Sequence, residues 1–110
     1  MTTIAMGANC ATLINVFTVE PAKQQRLVDV LVEATEKTMR HLPGFISANI
    51  HKSLDGTRVA NYAQWRSVAD FQNMLETPDA IPHMKQAMAQ ATSFDPNVYE
   101  VVEVCNIQGR

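Results

Sequence analysis

The chain lacks the short motifs by which many enzymes announce their cofactor. Its four glycines fall in no G-x-G-x-x-G or phosphate-loop pattern, and it contains no G-x-S-x-G elbow and no H-E-x-x-H helix. Nucleotide, phosphate, serine-hydrolase and zinc-protease chemistry therefore have no local support. Cysteine is scarce as well: Cys10 and Cys105 lie near opposite ends, without C-x-x-C spacing or a neighbouring ligand cluster. This argues against a metal site and leaves a disulfide open without requiring one. Charge of one sign is also missing. Nine basic residues stand against 11 acidic ones, net −2, and the basic ones are scattered singly. Nucleic acid and anionic membrane are excluded as expected partners. No apolar run approaches the ~20 residues needed to span a bilayer. The uncharged first 19 residues lack a basic leader and are interrupted by Asn9, Asn15 and several threonines, so no targeting segment is read there. The default compartment is the cytoplasm.

What the chain does have is 46% hydrophobic and 18% charged residues in a length of 110, the balance of a globular fold. The length suits one domain, with residues 1–10 as a flexible tail and 11–107 as the folded unit. Thr12 to Val19 is short and rich in β-branched residues, hence a strand, although its two faces are equally apolar. After Glu20-Pro21, apolar positions at Leu27, Val30, Leu31, Ala34, Thr38 and Leu42 predict a helix of about 20 residues, which His41-Leu42-Pro43-Gly44 ends. Ser67 is a good N-cap for a second helix carrying Val68, Phe71, Met74 and Leu75. Thr77-Pro78 interrupts it, and a third helix from Ile81 to Ala91 has Pro82 in its first turn. Phe94 to Asn97 reads as a loop and Val98 to Ile107 as the last strand.

Two strand-like runs, Phe45 to Ser53 and Arg58 to Trp65, flank Asp55-Gly56, a strong hairpin signal. A two-residue turn there sets Ile46 opposite Trp65, Ala48 opposite Ala63, Ile50 opposite Asn61 and Lys52 opposite Val59. One face then carries Ile46, Ala48, Ile50, Val59, Asn61, Ala63 and Trp65. The other carries Ser47, Asn49, His51, Ala60, Tyr62 and Gln64. A one-residue slip mixes polar with apolar on both faces and is rejected. The order β-α-β-β-α-β is the ferredoxin-like α+β arrangement, with helices on one face of an antiparallel sheet. The uncovered face predicts a homodimer packed sheet to sheet.

Asn61 is the anomaly of the inward face, because an amide buried without partners costs about 1 to 3 kcal/mol. Either it satisfies a backbone group or a water, or it reaches into a cavity and bonds a ligand oxygen. Trp65 shares that face about 13 Å along the strand; it is a core residue or the second brace of a flat ligand. His83 opens the third helix near the rim of sheet and helices, as a surface side chain or as an acid or base near neutral pH. Phe71, Met74, Met84 and Met88 form helical stripes that serve a core or line a pocket.

Asp55-Gly56-Thr57, Asn61-Tyr62-Ala63-Gln64-Trp65-Arg66-Ser67, Pro43-Gly44-Phe45 and the later His83 together resemble the antibiotic biosynthesis monooxygenase family over about residues 11 to 107. The branch it resembles oxidises polyketide phenols to quinones. The resemblance implies a dimeric α+β barrel and an oxygenase without flavin, haem or metal, acting on a small aromatic substrate and O₂. An ionised phenol passes an electron to O₂, and the radicals recombine to a peroxide that loses water. On this chain Asn61 would bond the phenolate or keto oxygen and Trp65 the substrate or peroxide oxygens, with Phe71, Met74, Met84 and Met88 against the rings. A tyrosine of that branch corresponds to Phe71, so proton acceptance falls to His83 or Lys85, of which His83 is the candidate. Haem-degrading relatives use an Asn that Asn15 matches, but Met74 and Met84 stand at their Trp and His positions. A non-catalytic dimeric module binding a small aromatic is the reading from another class.

Overall fold

The computed structural model describes residues 2–7 and 9–108. Four strands, β1 (Ala11–Thr18), β2 (Phe45–Lys52), β3 (Arg58–Trp65) and β4 (Ser93–Tyr99), form one antiparallel sheet in the order β2-β3-β1-β4. Helices α1 (Gln24–Lys37), α2 (Val68–Leu75) and α3 (Ile81–Gln90) complete the ferredoxin-like α+β arrangement. The sheet of the single chain is open, not a closed barrel.

The first helix is shorter than its apolar pattern predicts. Pro21–Lys23 is a 3-10 turn, α1 stops at Lys37, and a second 3-10 turn covers Met39–His41. Thr38 breaks the helix with φ −129° and ψ −61°. Leu27, Val30 and Ala34 nevertheless form the buried stripe expected of it. Ser67 caps α2 by accepting from the Asp70 N–H at 3.1 Å, and its hydroxyl donates back to the Asp70 carboxylate at 2.9 Å.

The hairpin keeps its expected register at Ala48/Ala63, Ile50/Asn61 and Lys52/Val59. Two details differ. A bulge between Phe45 and Ser47 puts Phe45, not Ile46, opposite Trp65 and leaves Ile46 43% exposed. The turn runs from Ser53 to Gly56, closed by Gly56 N–H to the Ser53 carbonyl at 3.2 Å, with Gly56 at φ +81°. Asp55 ties the turn together, accepting from the Ser53 hydroxyl and from the Thr57 hydroxyl and backbone N–H at 2.7 to 3.0 Å. Those bonds, the Thr57 hydroxyl first, hold the Asp55 carboxyl at about 2. A depressed carboxylate contributes stability above its unfolded value of 3.8 and loses it as pH falls toward 2. A carboxyl NMR titration is expected to place the Asp55 midpoint near 2, and in Thr57→Val to return it toward 3.8.

The last strand begins five residues earlier than predicted: Phe94 to Asn97 is strand, and 100–105 is not. β4 pairs with β1 from Ser93/Thr18 to Tyr99/Thr12. Beyond Tyr99 the ladder runs out, because β1 itself starts at Ala11. Pro96 is tolerated because an edge strand can turn its missing N–H away from the neighbour.

On the outer sheet face the N-terminal segment lies across the polar residues. The Thr2 hydroxyl is 2.8 Å from Ser47 Oγ and 2.9 Å from Asn49 Oδ1, and Gln64 Nε2 donates to the Thr3 carbonyl at 2.7 Å. On the inner face the core divides into two clusters. Phe17, Val19, Leu27, Val30, Val59 and Ala87 make one; Ala11, Trp65, Met74 and Ala80 make the other. No described helix is long and apolar enough to cross a membrane.

Candidate active site

A cavity of about 680 Å³ lies between the sheet and the helices, lined by residues of all four strands and all three helices. Its floor follows from the ladder. Ile50, Asn61, Asn15 and Pro96 form one row across the sheet, and Ala48, Ala63, Leu13 and Val98 form the row two residues on. Trp65 stands in the next inward row, opposite Phe45 and Ala11. Small Ala48 and Ala63 therefore leave a trough between the two amides and the indole, whose span of four residues is about 13 Å.

Asn61 is not alone on this floor. Asn15 is its direct partner in the β1–β3 ladder, and both side chains line the cavity. The carbonyl oxygen of each amide is buried and has no hydrogen-bond partner. Neither flanking residue, Ile50 or Pro96, offers a side-chain donor. Buried polar groups are normally satisfied, and orphans of this kind call for a ligand or bound water.

Trp65 is 2% exposed and closes the other end of the trough. Phe45 meets it edge-on with ring centroids 5.4 Å apart, and Phe71 at 6.5 Å tilts against it. The two rings fix the indole in one orientation. Overhead, Met74, Met84 and Met88 reach the cavity from α2 and α3. The half-buried His83 lies on the same wall, its Nε2 3.0 Å from Thr38 Oγ1. All seven residues selected from the sequence, Asn61, Trp65, His83, Phe71, Met74, Met84 and Met88, thus surround one space. Lys85 lines it too. His51 and Tyr62 follow the opposite parity.

Sequence reasoning missed two parts of the wall. Asn15 escaped as Asn61's partner because Leu13/Phe17 and Ile14/Val16 make either phase of β1 equally apolar; the buried Leu13 and Phe17 decide it. Phe94, Pro96 and Asn97, on an edge strand exposed throughout, were hidden by the reading of Phe94 to Asn97 as loop.

Among the described residues no cluster of His, Cys, Asp or Glu is arranged to hold a metal ion, and both cysteines are free. Besides Thr35, Lys85 and Asn97, which also line the largely apolar cavity, the polar groups of the site are two amides, an indole and an imidazole.

The family model for antibiotic biosynthesis monooxygenases matches residues 11–90, which contain every one of these groups. The chain belongs to this family. The tetracenomycin-F1 monooxygenase of Streptomyces glaucescens is 53% identical over 83 residues, 76% of this chain and 74% of that protein. Among solved structures, the monooxygenase from the gene ActVA-Orf6 of Streptomyces coelicolor, solved with nanaomycin D, shares 27% identity. It has a TM-score of 0.79, with 87% of this chain and 90% of that one covered. The same fold occurs in SnoaB, a cofactor-independent oxygenase of Streptomyces nogalater, at 20% identity and a TM-score of 0.69, covering 88% and 97%.

Proposed function

We propose that this monooxygenase oxidises a polycyclic phenol or hydroquinone to a quinone with O₂, using neither flavin, haem nor metal. The observation that carries the reading is the pair of orphaned amides, Asn15 and Asn61, on the floor of an apolar cavity that ends at Trp65. The cavity volume lies within the usual range for small-molecule sites, roughly 300 to 1,000 Å³. A planar polycycle lies in the trough over Ala48 and Ala63, with one oxygenated edge at the amides. The orphaned Oδ1 atoms accept from a ring hydroxyl, and the amide NH₂ groups donate to the same edge and stabilise the phenolate more than the neutral phenol, which makes the ring a better one-electron donor to O₂. For an anthrone, the ring CH₂ and one O₂ give C=O and one H₂O, so the substrate supplies both reducing electrons. Trp65 donates its indole N–H to the peroxide oxygens, and His83 takes the phenolic proton. The flat rings pack against Phe71 and Met74, Met84 and Met88.

The relatives named above support the reaction class, and the cytoplasm is where we place it. We further propose that the enzyme works as a homodimer packed through sheet faces, which would bring two open sheets together as a barrel. The test is aerobic incubation of a model anthrone with chelator-treated, flavin-free protein. Oxygen uptake equimolar with quinone is expected. Saturable quenching of Trp65 fluorescence without oxygen uptake would make the protein a binding module instead.

A further inference from the structure

The Thr38–His83 contact joins the end of α1 to the first turn of α3 across the cavity wall. Thr38 is where α1 stops: its N–H still bonds the Ala34 carbonyl at 3.0 Å, but its φ and ψ have left the helical region. A threonine within a helix commonly turns its hydroxyl back on the carbonyl four residues earlier, as Thr35 does to Leu31 at 2.9 Å. Thr38 instead commits its hydroxyl to the imidazole.

We propose that Thr38 is a positioning residue that sets the tautomer of His83, leaving Nδ1 as the nitrogen that accepts the substrate's phenolic proton. The proposal rests on the oxygenase reading above. A hydroxyl can donate or accept, but the two choices are not equivalent here. If Thr38 donates to Nε2, protonation of that nitrogen breaks the bond and Nδ1–H has no lone pair to offer. If Nε2–H donates to Thr38 Oγ1, Nδ1 carries the lone pair. The phenol O–H bond then breaks with its electron pair left on oxygen, an Nδ1–H bond forms, and the Nε2–H bond to Thr38 survives in the imidazolium. The hydroxyl therefore holds the ring through the transfer and stabilises its charged form. Glu33 on α1 is a carboxylate within electrostatic reach of His83, but it is already paired with Lys37 at 3.0 Å. Lys85, two residues along α3, also lines the cavity. Thr38 is thus the neutral side chain that holds Nε2.

The test uses the full chain and compares Thr38→Val with Thr38→Ser. Thr38→Val is expected to lose about tenfold in kcat/KM on the anthrone, in kcat rather than KM, because an unheld ring samples the unproductive tautomer. The acid limb of its pH profile should move to lower pH, since the charged ring has lost its acceptor. Thr38→Ser restores both. A Thr38→Val enzyme with unchanged rate and profile, or a Thr38→Ser enzyme as poor as Thr38→Val, overturns the proposal. Long-range ¹H–¹⁵N correlation on the unmutated protein gives an answer independent of turnover: the Nε2–H tautomer supports the assignment and the Nδ1–H tautomer overturns it. If the protein consumes no oxygen with an anthrone, the oxygenase reading fails, and the tautomer spectrum still decides what Thr38 does to the ring.

Discussion

Asn61→Ala is expected to lower kcat/KM for an anthrone about 100- to 1,000-fold, the usual effect of removing one preorganised donor from a developing oxyanion. Two features place it at the upper end. The amide sits in an apolar cavity, where water is a poor substitute, and its carbonyl oxygen has no protein partner that the variant would have to rearrange. Folding should survive, because the alanine removes an unsatisfied polar group. Asn15, directly across the ladder, is expected to behave similarly. The double variant should lose far less than the product of the two single effects, because both amides hold the same edge of the substrate. Steady-state kinetics on the three variants, with melting curves alongside, check this. Equal losses in stability and activity would make the pair structural.

Gly44→Ala should be the most destabilising change remote from the chemistry, by about 2 to 4 kcal/mol. Gly44 sits at φ +83°, where a side chain costs roughly 1 to 2 kcal/mol. An added Cβ would also run into the Asp70 carboxyl. That carboxylate has little freedom to withdraw: Arg66 holds both its oxygens at 2.8 and 3.0 Å, and the Ser67 hydroxyl bonds it as well. The guanidinium bonds, then Ser67, keep Asp70 below the ordinary carboxylate range. Moving it breaks the bond that the Ser67 hydroxyl donates to the carboxylate, while the α2 cap on the Asp70 N–H remains, and costs about another 1 kcal/mol. Gly44 also accepts the Arg66 N–H at 2.7 Å, anchoring the start of β2 beside the end of β3. Denaturant unfolding measures the loss. Asp70→Ala in the Gly44→Ala background is expected to recover part of it by clearing the collision, whereas a wild-type midpoint for Gly44→Ala would contradict the packing described.

The parts of the fold legible in the sequence were those governed by local rules. Asp55-Gly56 and the pairing of apolar residues fixed the register from Ala48 to Lys52, and hence the shared face of Asn61 and Trp65. Ser67 marked the α2 cap through its reach to the Asp70 N–H, and Pro82 marked the first turn of α3. What was not legible depended on neighbours. The bulge that exchanges Ile46 for Phe45 is set where Gly44 docks on Arg66, beyond the reach of alternation. The apolar run Val101 to Ile107 reads as strand, yet β1 offers it no partner past Thr12, so Val102 and Ile107 are exposed. Asn15 became a site residue only when the ladder set it against Asn61. The trough itself exists because Ala48 and Ala63 are small, an absence that composition does not reveal.

The most direct measurement of the central claim is the fate of ¹⁸O₂ during oxidation of an anthrone by chelator-treated, flavin-free protein. Monooxygenation in this cavity predicts one labelled atom in the quinone and one in water, at a rate that collapses in Asn61→Ala. Quinone without label, or label incorporated at the same rate by the wild-type protein and Asn61→Ala, would contradict it.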